Sequence, residues 1–398
     1  SMLRNKYLLL STLLAFGLQA QDSLVDKVSL GGLSFRNIGP ALTSGRIADI
    51  AVNPKNSSEY YVGVASGGLW KTNNHGTTYS PVFDSQSSYS IGCVAIDPKN
   101  PNIVWVGSGE NNNQRSVPYG DGLYKSTDGG SSWKKVGLEN SEHIGMIAIH
   151  PDDPNKVFVA AYGPLWNAGG DRGVYRTTDG GASWEKVLDV SENTGFNEVH
   201  FDPNNPMVLY ATAHQRRRHV WTYVSGGPES GIYKSTDGGK SWKELKKGLP
   251  SEKGRISLGL SKHNPDLLYA MVEEHGFYRS DDRGASFRKV NDYNTSGNYY
   301  VELVVDPKDP QVVYSMDTYM HVSRDGGQSW NPVPENNKHV DNHCLWINPK
   351  DTKQMIAGCD GGLYETWDGG QNWHFKPNLP VTQFYRVAVD NAEPFYNV

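Results

Sequence analysis

The chain has 398 residues, a formal charge of -5 at neutral pH, 43 glycines, 22 tyrosines and 11 tryptophans. That charge balance argues against a general nucleic-acid binder, which needs a basic face to neutralise phosphates. The length suits two or three average domains or one large repeat array. The composition, without sustained helical periodicity, points to many short strands joined by tight turns.

From the N-terminus, residues 1–21 read as a secretory leader. Arg4 and Lys6 form a basic start, Tyr7 to Leu18 is apolar but shorter than a membrane span, and Gln19-Ala20-Gln21 supplies a small-residue cleavage site. Residues 22–32 read as a linker. No other apolar run approaches transmembrane length, so the mature chain is expected to be exported, to the periplasm, the cell surface or the medium, without a membrane span.

Two repeats interleave over residues 33–383. The first is a strand ending in Asp/Asn/His-Pro: Ile47 to Pro54, Ile91 to Pro98, Ile144 to Pro151, Phe196 to Pro203, Ile256 to Pro265 in looser form, Tyr300 to Pro307, and Asn342 to Pro349. The second is Ser/Thr-x-Asp-x-Gly-x-x-Trp. A worn copy uses Thr72, Asn74, Gly76 and Tyr79. Full copies are built on Asp128, Asp179, Asp237, Asp282, Asp325 and Asp368, and they close on Trp133, Trp184, Trp242, Phe287, Trp330 and Trp373. The copies lie about 43 to 58 residues apart, the scale of one propeller blade. Each unit reads strand, Pro turn, strand, variable loop, strand, Asp box, strand. Seven units predict an all-β, seven-bladed propeller with four-stranded blades. The Asp-box aspartates are structural in this reading. The carboxylate accepts amides of its own turn, the Gly takes a positive φ, and the Trp fills the groove between sheets with its N–H on a carbonyl. Seven equivalent catalytic or calcium sites make no chemical sense.

Cys93 stands alone. Cys344 and Cys359 flank a predicted hairpin and either form a disulfide or remain buried thiols, the second being favoured. Residues 384–398 open with Phe-Tyr-Arg-Val-Ala-Val-Asp, which either begins a further blade or closes the ring together with Leu33–Ile38.

This strand order sends Asp boxes and Pro turns to one face and the loops between second and third strands to the other. The long loops are Asn111 to Gly120, Gly163 to Arg172 and His214 to Ser230, so their face is the candidate binding face. Ligand-binding candidates on these loops are Asn111, Arg115, Trp166, His214, Arg216, Arg217, Arg218 and Trp221. Arg46, His143, Arg255 and His343 join them from the starts of the innermost strands. The run Arg216-Arg217-Arg218 either clamps an anion through its guanidinium forks or pairs with Glu110, Glu273 or Glu274 and braces the rim. Glycoside hydrolysis needs two carboxylates about 5 to 9.5 Å apart; the candidates are Glu110, Glu302, Asp341 and Asp360. His143, His214, His219 and His343 lack compact ligand spacing, so no metal and no cofactor is assigned.

These Asp boxes, with Ser44-Gly45-Arg46-Ile47, Gly109 to Ser116, Gln215 to Trp221 and Asp341-Asn342-His343, resemble exported bacterial BNR/Asp-box proteins of the sortilin-like or BNR-repeat glycosyl-hydrolase kind. The resemblance implies a propeller that captures a glycan or peptide through its loops and is followed by a second propeller or joined to other envelope proteins. A glycoside hydrolase of xyloglucanase or sialidase type and a scaffold in an envelope assembly are the alternatives. Xyloglucanase-type enzymes place a catalytic Asp before a Gly-Gly in the first blade. Here Ser66 precedes Gly67-Gly68, and Asp360 precedes Gly361-Gly362 in the seventh.

Overall fold

The computed structural model describes residues 44–112, 117–295, 301–384, 386, 388 and 390–393. The leader, the Leu33–Ile38 strand, Arg115 and Tyr300 lie outside them. Among the described residues there are seven antiparallel sheets, six of four strands and one of five, each built from consecutive segments. Blade 1 runs Ile47–Val52, Tyr60–Val64, Gly68–Thr72 and Ser80–Pro81; blade 2 runs Ile91–Ile96, Val104–Ser108, Leu123–Ser126 and Lys134–Gly137. Blade 7 ends the series with Asn342–Ile347, Met355–Cys359, Gly362–Thr366 and His374–Phe375.

Burial follows from position in the blade. The second strands, such as Tyr60–Val64 and Val104–Ser108, are buried throughout because both faces pack against neighbouring sheets. The fourth strands are short and polar, Glu185–Leu188 for example, which suits an exposed edge that must not template further pairing. Each seam between adjacent blades holds its own apolar cluster. Blades 1 and 2 share Tyr61, Val94 and Val106, and blades 7 and 1 share Ile356, Ile47 and Val62. Ser44 pairs in parallel with Thr382, and Val381 enters the blade 7–1 cluster, so the ring is fastened beside blade 1.

The Asp box works as its spacing predicts. Asp128 Oδ1 accepts the Ser132 amide at 2.9 Å and the Ser126 hydroxyl at 2.8 Å, and Gly129 and Gly130 take φ of 69° and 88°. The Gly129 amide donates to the Asn102 carbonyl in the Pro turn at 2.9 Å, which puts both turns on one face. The same bond joins Gly180 to Asn155 and Gly326 to Gln311. The box aromatic packs into the seam with the preceding blade. The indoles of Trp133, Trp184 and Trp373 donate to the carbonyls of Val82, Val136 and Pro334. One expectation is corrected here: the buried indole nitrogens of Trp242 and Trp330 have no hydrogen-bond partner among the described residues. Cys93, Cys344 and Cys359 are all buried free thiols. Cys344 lies opposite Gly358 in the ladder and Cys359 opposite Asn342.

Candidate functional site

At the start of blade 1 the chain places Arg46 between two acids. Its Nε donates to Asp360 Oδ1 at 2.6 Å, and its Nη1 donates to Glu110 Oε1 at 2.9 Å. The first contact joins blade 1 to blade 7; the second reaches the loop of blade 2. His343 Nδ1 bonds the Ile47 carbonyl at 2.8 Å, which leaves its Nε2 3.0 Å from Asp360 Oδ1. Burial alone would push the Asp360 carboxyl up, but His343 and Arg46 hold it below the usual carboxylate range. Asp341 sits half-buried beside it at a φ of 61°, and burial and the Asp360 charge raise its carboxyl. Glu302 does not join this group in either top-face cavity. Burial raises its carboxyl to about 8 against the pull of Arg255, and Asp49 and Glu198 raise it further.

The loop after the second strand of blade 2 crosses to the far side of the ring. Asn111 Nδ2 donates to the carbonyls of Gly92, Ile144 and Gly145, and the Asn111 carbonyl accepts Arg255 Nη1 of blade 5 at 3.0 Å. Asn111 and Arg255 therefore tie loop to scaffold. The side chain of Asn111 is spent on backbone, and that of Arg255 is buried.

A cavity of about 420 Å³ opens over blades 1 to 3. Arg46, Glu110, His143 and Glu142 supply its polar wall, and Tyr89, Tyr119 and Trp166 supply its rim. The rim aromatics are exposed by 65, 74 and 49% respectively. A second cavity of about 210 Å³ shares Arg46, Ser66 and Gln383 with it and adds Trp70 and Val381. Burial, then the Arg216 charge, depress the His143 imidazole to about 3, and its Nδ1 bonds the Glu110 carbonyl at 2.8 Å. A neutral ring with that tautomer presents Nε2 as an acceptor. Burial raises the Glu142 carboxyl against the pull of Arg172. Its carbonyl accepts the Gly120 amide at 2.7 Å and so fixes the end of the blade 2 loop.

Sequence reasoning placed Arg46, Glu110, His143 and Trp166 in this site but missed Tyr89, Glu142 and Gln383. Tyr89 and Glu142 lie in the links between blades, where no periodic signal marks them. Their signal is positional, because the links emerge on the same face as the long loops.

The arginine run is where the structure departs most from the expected loop. The second strand of blade 4 continues from Asn205 to Arg218 and pairs with Tyr223–Ser225, so His214 to Ser225 is a hairpin. Arg216 and Arg217 are buried. Arg216 lies 5.5 Å over the Tyr162 ring, and Arg218 lies 4.1 Å over Tyr223. Arg217 donates to Asn193 Oδ1 at 2.6 Å and to the Trp166 carbonyl at 3.4 Å. His214 is also buried, between the Tyr162 and Ser225 hydroxyls. The Arg217 side chain and the Arg218 amide, which donates to the Leu165 carbonyl at 2.9 Å, brace the loop that carries Trp166. Trp221 sits at the hairpin tip, 82% exposed and stacked on His219 at 5.3 Å, and lines neither cavity. His143, His214, His219 and His343 each have separate partners, and Arg115 falls outside the described residues.

Seven Asp-box blades in a ring, with an aromatic-rimmed cavity on the loop face, define a seven-bladed β-propeller. A family model for sortilin (neurotensin receptor 3) matches residues 121–249. A xyloglucanase of Acetivibrio thermocellus is 25% identical over 332 residues, covering 73% of this chain and 38% of its own length. An oligoxyloglucan-reducing end-specific xyloglucanase of Emericella nidulans is 27% identical over 49% of this chain and 26% of its own. The chain thus spans about two-fifths or less of these relatives. Among solved structures, the xyloglucanase of Xanthomonas campestris aligns with a TM-score of 0.63 at 17% identity, over 85% of this chain and 55% of its own. YCF48 bound to D1 peptide aligns with a TM-score of 0.55 at 16% identity, over 84% of this chain and 98% of its own. The chain is thus similar to sortilin-like BNR-repeat propellers over its middle third and to xyloglucanase propellers over a longer stretch.

Proposed function

We propose that the protein is exported and captures a glycan in the cavity over blades 1 to 3 without cleaving it. The carrying observation is the rim of Tyr89, Tyr119 and Trp166 around about 420 Å³ of space. Flat, rigid aromatic faces stack on the apolar faces of sugar rings at low entropic cost, and the volume falls in the range of small-ligand sites. Glu110, Arg46 and the acceptor edge of His143 supply the few polar groups that fix orientation. The xyloglucanase relatives favour a polysaccharide over a peptide.

The absence of cleavage rests on the want of a working pair: burial raises Glu142 among the cavity's acids, but hydrolysis needs two carboxylates. Glu110 and Asp360 are both committed to Arg46, and Asp360 is held ionised, so it is a poor proton donor. Ser66 lines both cavities, and it precedes Gly67-Gly68, the place where the resemblance to xyloglucanase-type enzymes implies an acid. The test is affinity electrophoresis through xyloglucan and other β-glucans together with a reducing-end assay. Retardation without new reducing ends is expected. Cleavage would establish the hydrolase instead. Peptide binding with no retardation by any glycan would replace the glycan reading with peptide capture.

A further inference from the structure

The link from blade 6 to blade 7 holds a buried trio that lines neither cavity. The Lys338 side chain is 0% exposed and that of Glu335 6%. Asn342, at the head of the innermost strand of blade 7, is fully buried. Lys338 Nζ lies 2.8 Å from Glu335 Oε1 and also donates to Asn342 Oδ1. The same Glu335 oxygen accepts from Asn342 Nδ2 at 2.8 Å. One carboxylate oxygen therefore touches both the lysine amine and the nitrogen of the amide. The Tyr364 and Trp373 rings stand 5.8 and 5.6 Å from Nζ and shield the group from water. The Lys338 amide bonds the Glu335 carbonyl at 3.1 Å, and Asp341 at a φ of 61° bends the chain so that residue 342 returns beside residue 338.

An ordinary ion pair needs only two of these residues. The third is a carboxamide set against the amine, with a proton carrier bridging nucleophile and leaving group. We propose that Lys338 and Asn342 join in an intramolecular amide bond. The Lys338 ammonium gives a proton to Glu335, and the free amine attacks Asn342 Cγ. The Nζ–Cγ bond forms as the Cγ–Nδ2 bond breaks. The surplus amine proton and the proton held by Glu335 go to the departing nitrogen, which leaves as ammonium, and Glu335 is again a carboxylate. No oxidant or co-reactant is needed. The fixed contact supplies the proximity that makes an amide a feasible electrophile. The product pins the turn that contains Asp341 and leads into His343 at the ring's seventh blade.

The experiment is the intact mass of the denatured full chain, with a tryptic map. The expected chain is lighter than its sequence by one ammonia. The loss should map to a peptide holding Lys338 and Asn342, with Lys338 resistant to trypsin. Glu335→Ala and Lys338→Arg each restore the full mass at this segment. A segment of full mass with Lys338 cleaved, after prolonged incubation of the folded protein, overturns the proposal. So does an ammonia loss that maps only elsewhere, such as to an N-terminal glutamine. The wild-type map decides the matter even where a variant does not fold.

Discussion

Replacing Arg46 by alanine removes the cation that two acids share, and the consequence can be worked from the contacts. Glu110 is 1% exposed and Asp360 20%. Breaking one side of a buried ion pair typically costs about 3 to 5 kcal/mol, because a charge is left stranded. Here Glu110 keeps a bond from Asn112 and Asp360 keeps His343, so the low end, about 3 kcal/mol, is the better figure. Unfolding entropy of roughly 2 cal/mol/K per residue over about 350 residues makes that a fall in Tm of about 4 °C. The pH dependence is a second handle. Asp360 is depressed in the folded state, so it adds stability above its unfolded pKa of about 3.9 and loses it as pH falls through the folded value. Arg46→Ala weakens that depression. The gap between wild type and variant should therefore narrow as pH drops from about 5 toward 3. Thermal melts followed by circular dichroism at several pH values measure both. A fall of less than about 1 °C at pH 7, or a gap that does not change with pH, would refute the claim that Arg46 is an internal tie rather than a solvated rim charge.

Trp166→Ala and Tyr119→Ala should each weaken glycan retardation by about tenfold, the worth of one stacked ring at roughly 1 to 1.5 kcal/mol, with Tm within about 1 °C of wild type. Trp221→Ala, at the hairpin tip, should leave retardation unchanged, and a loss there would move the site. Trp133→Ala removes an indole that packs edge-on against Phe83 at 5.3 Å and bonds the Val82 carbonyl. Because the ring is only partly buried, a cost of about 2 to 3 kcal/mol is expected in urea melts, below that of a fully buried Trp. Burial raises Glu302 to about 8 and Glu273 to about 7. Such groups bind more protons folded than unfolded between the two pKa values, so stability should fall as pH rises from about 4.5 to about 8. Glu302→Gln should flatten that limb of the Tm profile, and an unchanged slope would mean Glu302 stays ionised.

The blade was legible because its signals are local. A Ser/Thr-x-Asp-x-Gly turn satisfies its amides within seven residues, as Ser126 to Ser132 do, and the closing Trp always meets the preceding sheet. The site was only half legible. Its parts come from the start of blade 1, two loops and two links, and no local pattern reports how far a loop travels. Asn111 looked like a ligand contact because it lies in a polar loop on the right face. The carbonyls of Gly92, Ile144 and Gly145 claim it once that loop bridges the ring. Tyr89 carried no pattern at all, and only its exposure beside Tyr119 and Trp166 marks it.

The arginine run shows the same limit from the other side. Three consecutive guanidiniums read as a charged loop because burial of Arg is rare without partners. Strand pairing supplies those partners: alternation sends Arg216 and Arg218 to one side, where each finds an aromatic face, and Arg217 to the other, where Asn193 and the Trp166 carbonyl receive it. A hydrophobic alternation would have announced such a strand, but here the apolar half of each pair lies on another segment, Tyr162 and Tyr223. The Arg217 guanidinium consequently serves to hold the Trp166 loop in place. If that is its role, Arg217→Ala should weaken glycan retardation as Trp166→Ala does while also lowering Tm, whereas Trp166→Ala leaves Tm alone. A direct ligand clamp would instead lose binding with Tm unchanged.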